Sequence, residues 1–228
     1  MHFGKRNPTH SYIVNKRLLE AVHTERDFGV LVDLDLNFRD HTNMVVKKAM
    51  SLSRNLFAIF KTNDVDALSK LFVFYIRPLV EYASQVCSPR LRSSIASIER
   101  VQRKFSKLIF TRLGHPEFSY EYRLGQLSLD SLEVRRIKLD LLFLFKIIHS
   151  PFSPLSAILP PFSSAHTRFS KLTFILPPVN LSVLKNFYTM RVISIWNKLP
   201  ISLRSKPTLA SFKRALHSFD FSSHLGRS

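Results

Sequence analysis

Glycine is scarce in this sequence: 5 residues in 228, about 2% where roughly 7% is usual. Neither G-x-G-x-x-G nor G-x-x-x-x-G-K-[ST] occurs, so the glycine loops that cradle nucleotide phosphates are excluded, and a turn-rich barrel is disfavoured. Cysteine occurs once, at Cys87. One thiol excludes an internal disulfide framework and any multi-thiolate zinc site, and points to an intracellular compartment, cytoplasm or nucleus. No apolar run approaches the ~18 residues of a membrane span; Leu141–Phe145 is cut by Lys146. The N-terminus lacks an apolar signal core, and Pro8 among polar neighbours reads as a turn, as if the chain began inside a domain. Carboxylates are few as well: 16 Asp and Glu face 34 Lys and Arg, a net charge of +18. Such an imbalance favours a polyanionic partner, nucleic acid or a membrane surface.

What is present can fold. The chain is 45% apolar, with 20 phenylalanines, so its charge is not that of a disordered tail. Residues 151–228 hold 10 basic residues and a single carboxylate, Asp220. Six of the 12 prolines fall between Pro151 and Pro178, which rules out continuous helix there. The runs Tyr12–Val14 and Gly29–Val32 read as short strands. From Asp40 onward helical spacing dominates. Helices are expected over Val45–Phe60, from a cap at Asn63 or Asp64 to an interruption at Pro78, and over Ser93–Phe110. A D-x-x-E start at Asp130 and Glu133 opens a helix to about His149, and Leu181–Leu199 and Leu209–Phe219 complete the set. The expected fold is mainly α, with a short N-terminal β piece.

Catalytic constellations are lacking. Asp33, Asp35, Asp40 and His41 form the one carboxylate cluster; i, i+2 spacing on a strand would turn Asp33 and Asp35 to one face, as a hard divalent cation requires. The plainer reading is a solvated turn closing the β piece. Cys87 reads as a small core residue. The helix over Ser93–Phe110 carries more information. Its spacing places Arg100, Arg103, Lys104 and Lys107 in one stripe, opposite Ile95, Ile98, Val101, Phe105, Leu108 and Ile109. Such a stripe suits a phosphate backbone or is simply a solvated face; Glu99, the helix's sole carboxylate, offsets little of the repulsion. Arg135, Arg136 and Lys138 form a second basic cluster, diluted by Glu133 and Asp140. Lys198, Arg204, Lys206, Lys213 and Arg214 form a third. The phenylalanines are core or base-stacking platforms according to their exposure.

Several segments, in order, resemble the region downstream of the active site in non-LTR (LINE-type, jockey-like) retrotransposon reverse transcriptases. Met1-His2-Phe3-Gly4 is similar to the strand after the catalytic Asp-Asp turn. Arg26–Val30 is similar to "DLGV", with Phe28 for leucine, and Lys48-Ala49 to a helical "KA". Ile76–Ala83 with Cys87-Ser88-Pro89 resembles "RPxLEYAxxVWSP", with Cys87 in place of tryptophan. Ile98–Arg103 is similar to "IExVQR", and Tyr120–Arg136 to "YEERLxxLxLxSLExRR". Arg191-Val192 through Trp196–Pro200 matches "RVxxxWNxLP", and Phe212-Lys213 the terminal "FK".

The resemblance implies a palm-end β remnant over 1–38, a helical thumb-like domain over 39–150, a Pro/Ser-rich connector over 151–180 and a basic helical extension over 181–228. It implies a primer-grip-like role for Phe28 and Gly29. Nucleic-acid contacts would come from Arg100, Arg103, Lys104 and Lys107, with Arg135, Arg136 and Lys138 beside them. The implied partner is an RNA–DNA hybrid or RNA template held by its backbone and shape. Polymerase carboxylates and their divalent metals belong to a palm upstream of these motifs. The chain is therefore expected to be no enzyme by itself, to hold no cofactor, and to bind no membrane. The missing palm and fingers or another polypeptide are further expected partners. The alternative is a non-enzymatic helical scaffold that docks protein, or a decayed reading frame.

Overall fold

The computed structural model describes residues 1–3, 7–89, 91–150, 153–163, 172–178 and 187–222. The fold is mainly α, with two small antiparallel sheets near the N-terminus. Strands β1 (Ile13–Val14) and β2 (Arg17–Leu18) form one hairpin, β3 (Thr24–Asp27) and β4 (Val30–Asp33) the other. Residues 1–3 form no strand, and Gly4 lies outside the described residues. In the second hairpin Asp27 pairs with Val30. The two-residue turn has φ +43° at Phe28 and +83° at Gly29, the positive pair that a type I′ turn demands. Glycine meets that demand freely; phenylalanine does not.

The chain packs as two compact units. The first comprises Met1–Ala83 and Cys87–Leu129, the second Ser84–Val86 and Asp130–Ser228. In the first unit, α1 (Arg39–Ile59) packs along α5 (Arg92–Arg112). Phe105 of α5 meets Phe57 of α1 at 4.9 Å between ring centres and Phe72 at 5.2 Å. Ile98, Val101, Phe105 and Ile109 are buried, each contributing about 1.5–3 kcal/mol. Arg112 fixes the register of the pair: its guanidinium donates to the carbonyls of Phe57, Phe60 and Thr62 at 2.6–3.2 Å. The Phe57 and Phe60 oxygens sit at the end of α1, where the helix has no partners of its own for them, and Thr62 follows in the loop.

Asp64 caps α2 (Val65–Leu71), accepting from the amides of Asp66 and Ala67. The chain does not break at Pro78. It widens into a π turn over Phe72–Ile76 and continues as α3 (Arg77–Glu81), so the turn absorbs the amide that proline lacks. A short α4 (Ser84–Cys87) follows. Cys87 is buried with Sγ 3.2 Å from the Ala83 carbonyl, a core thiol as expected. Helix α5 ends in a Schellman arrangement, His115 N–H to Phe110 and Gly114 N–H to Thr111, with Gly114 at φ +86°.

Helix α6 (Tyr120–Gln126), which the spacing did not reveal, is capped by Ser119. Helix α7 (Leu132–Ile148) begins one residue later than the D-x-x-E pattern implied, because Ser131 is the cap and accepts from Val134 N–H. The resemblance implies a thumb-like domain to residue 150, while the first compact unit ends at Leu129. Leu141, Leu144, Phe145 and Ile147 of α7 share one core with Val192, Trp196, Phe212 and Leu216. Helix α7 thus belongs with α8 (Tyr188–Lys198), α9 (Ile201–Arg204) and α10 (Leu209–Ser218). Within the connector, Pro154–Ile158 is a 3-10 turn and Phe162 bridges Phe174. Residues 151–152, 164–171 and 179–180 of it, and residues 181–186 of the expected Leu181–Leu199 helix, lie outside the described residues. Among the described residues no helix is long and apolar enough to cross a membrane.

Candidate nucleic-acid interface

On α5 the stripe stands as its spacing required: Arg100, Arg103, Lys104 and Lys107 are all exposed. Leu108 departs from expectation and is exposed beside them. Glu99, the carboxylate best placed to quiet these charges, is taken: it accepts the hydroxyl of Tyr120 on α6. Burial and the neighbouring Glu99 charge push the Tyr120 phenol far above its usual range, so it stays a donor. Arg103 lies over the Tyr120 ring, 4.3 Å from its centre. Among the described residues no carboxylate forms an ion pair with any of the four cations. An exposed row of four cations with one carboxylate on its helix can neutralise phosphates at little desolvation cost.

Helix α6 is held to the same scaffold by Arg123. Its guanidinium donates to Ser106 Oγ at 3.2 Å and to the carbonyls of Phe118 and Arg103 at 2.8 and 3.4 Å. Burial, then the nearby Arg103 charge, lowers the Arg123 pKa from its ordinary value.

The second cluster does not make an exposed surface. Arg136 and Lys138 are buried and Arg135 is half-buried. Lys138 Nζ meets Asp130 at 2.8 Å. Asp140, one turn beyond Arg136, is buried and accepts Arg191 Nε at 2.9 Å. Burial raises the Asp140 pKa while Arg191 and Arg136 oppose that shift. Arg191 also donates to the carbonyls of Ser84 and Gln85. In the third cluster Lys198, Lys213 and Arg214 are exposed and Lys206 half-buried, but Arg204 is buried. Arg204 donates to the Leu172 carbonyl and Thr173 Oγ1. Trp196 Nε1 donates to that same Leu172 oxygen, and Asn197 clamps both backbone groups of Phe174. The W-N pair at the end of α8 is therefore a clamp on an extended segment.

Phe28 and Gly29 sit at the tip of the second hairpin, where Tyr82 Oη donates to the Phe28 carbonyl at 2.7 Å. Asp33 is a lead-in to α1: its carboxylate accepts the amides of Asp35, Asn37 and Phe38 at 2.7–3.1 Å. Among the described residues no group of three His, Cys, Asp or Glu side chains is placed to hold a metal. His41 is buried and its Nδ1 accepts Leu31 N–H, joining β4 to α1. Burial, with the Arg26 charge as the lesser cause, lowers its pKa from 6.5.

Over 111 residues, 49% of its length, the chain is 30% identical to a Caenorhabditis elegans protein described as "Uncharacterized protein B0403.1". The match takes in 56% of that protein, so the chain spans a little over half the length of the relative. No protein-family model matches the chain, and no solved structure matches it.

Proposed function

We propose that this chain is a nucleic-acid-binding fragment of a non-LTR retrotransposon reverse transcriptase, without polymerase activity of its own. The observation that carries the proposal is the α5 stripe: four exposed cations on a helix that holds a single carboxylate. The ordered motif series supports the family, and several of its residues meet in space. Tyr82 binds the Phe28 carbonyl, and Glu99 binds Tyr120. The ligand is an RNA–DNA hybrid or RNA template held along its phosphates, in the cytoplasm or nucleus. Filter binding to a hybrid at two salt concentrations tests this. Affinity that weakens as salt rises is expected; no binding at low salt, or binding indifferent to salt, contradicts it. A primed RNA template with nucleotides should not be extended.

One observation favours the second reading, a protein-docking scaffold. The β1–β2 hairpin leaves Tyr12, Ile13, Val14, Leu18 and Leu19 exposed. Exposed apolar residues gathered on one hairpin suit an interface. Light scattering separates the two: a stable monomer that binds hybrid supports the first, and self-association without hybrid binding supports the second.

A further inference from the structure

Helices α1 and α5 bury their apolar sides in one layer. Phe105 of α5 meets Phe57 of α1 and Phe72 of the π turn, and α1 rests on that turn as well. The solvent sides of the two helices therefore lie together, opposite that layer. On α1, Lys47, Met50, Arg54 and Phe57 follow at i, i+3, i+7 and i+10, one strip of a helix. Its last member is the ring that touches α5. On α5, Arg100, Lys104, Leu108 and Arg112 follow at intervals of four, a row that turns about 40° per step around the helix. Arg112 ends this row against α1, its guanidinium 4.7 Å from the Phe57 ring centre and 2.8 Å from the Phe57 carbonyl. The two strips thus converge at Phe57 and Arg112 and border one groove on the solvent side. Lys47, Arg54, Arg100 and Lys104 are all exposed along it. Its charge is of one sign. Helix α1 holds no carboxylate after Asp40, and the single one of α5, Glu99, bonds Tyr120 on the α6 side. Among the described residues no carboxylate forms an ion pair with Lys47 or Arg54.

We infer that Lys47 and Arg54 form a second phosphate-binding row, so that a nucleic-acid backbone lying between α1 and α5 takes cations from both helices. Two features select that occupant. The groove is lined by cations from both sides, so a ligand that follows it must carry negative charge along its length, as a phosphate backbone does. The axes of a packed helix pair lie about 8–10 Å apart, which lets long basic side chains of both helices reach one backbone. Lys48 serves no such purpose: nine residues from Phe57, it lies half a turn around α1, away from α5. The inference rests on the nucleic-acid reading above and deepens it, adding two contacts on a helix that reading does not use.

The test measures RNA–DNA hybrid binding against salt for the full chain and two charge-matched variants, with thermal melting to confirm that each folds. In Lys47→Ala/Arg54→Ala the slope of log affinity against log salt should shrink by about 0.7–0.9 per lost contact, up to roughly 1.6. Lys48→Ala/Lys70→Ala removes two exposed cations of the same unit that lie off the groove, and its slope should stay close to the parent's. Lys47→Arg/Arg54→Lys should keep the parent's slope. Equal shifts in the two alanine variants overturn the inference, because net charge alone then explains them. So does an unchanged slope in Lys47→Ala/Arg54→Ala. An oligoglutamate of equal charge that competes as well as unlabelled hybrid overturns the choice of ligand. If the parent binds hybrid with salt dependence and only the groove variant behaves like it, this inference fails alone. If the parent shows no salt-dependent binding, the nucleic-acid reading falls and takes this inference with it.

Discussion

Helices α5 and α7 each carry a cluster of basic residues and put it to opposite uses. On α5, residues 100, 103, 104 and 107 face solvent over a core confined to the opposite side. On α7, residues 135, 136 and 138 lie among Leu132, Leu141, Leu144 and Phe145, in a helix that is buried or half-buried along most of its length. The carboxylates folded against them differ. Asp130 and Asp140 answer Lys138 and Arg191 within the second unit. The first unit directs Glu99 to a tyrosine instead.

The comparison can be broken most forcefully at Asp140. Asp140→Asn removes the carboxylate from the half-buried Arg191 and should cost roughly 1.5–3 kcal/mol in urea unfolding. A loss below ~1 kcal/mol would show that the second unit does not depend on the pair. Lys138→Met should cost less, roughly 1 kcal/mol, because Asp130 remains partly hydrated when its partner goes. Hybrid affinity of that variant should not change; a clear loss would restore α7 as a nucleic-acid-binding element.

The smallest effect is expected at His41, and its sign is fixed. The folded pKa lies below 6.5, so the unfolded chain binds the extra proton first. The His41 contribution to stability is complete above pH 6.5 and is lost as the pH falls through the folded pKa. Denaturant midpoints should decline on acidification across that window, and His41→Gln should flatten the decline. An unchanged profile in His41→Gln would remove the residue from the link between β4 and α1.

The α5 stripe and its buried face were legible because one amphipathic helix reports its own faces by period. The Asp64 cap and Cys87 burial were legible for similarly local reasons. The fate of α7 was not. Arg191, which holds Asp140, lies 51 residues away, and no spacing on α7 announces it. The D-x-x-E pattern misled for a related reason: Asp130 is drawn to Lys138, which leaves Ser131 to cap. Pro78 looked like a stop because local rules penalise proline inside a helix, whereas tertiary packing of Phe72 and Ile76 sustains a π turn through it. Helix α6 is short and rests on Arg123 and Tyr120 reaching α5, contacts that periodicity cannot express. The Trp196-Asn197 motif was visible as letters, but its work on Leu172 and Phe174 spans more than 20 residues of chain.

The central claim is that nucleic-acid affinity resides in the α5 stripe and not in net charge at large. Hybrid binding should be titrated against salt for the parent protein and for Arg100→Ala/Arg103→Ala/Lys104→Ala/Lys107→Ala, with thermal melting to confirm that the variant folds. The slope of log affinity against log salt should shrink by about 0.7–0.9 for each phosphate no longer neutralised, up to roughly 3 in all. A folded quadruple variant with the parent's affinity and slope would contradict the account.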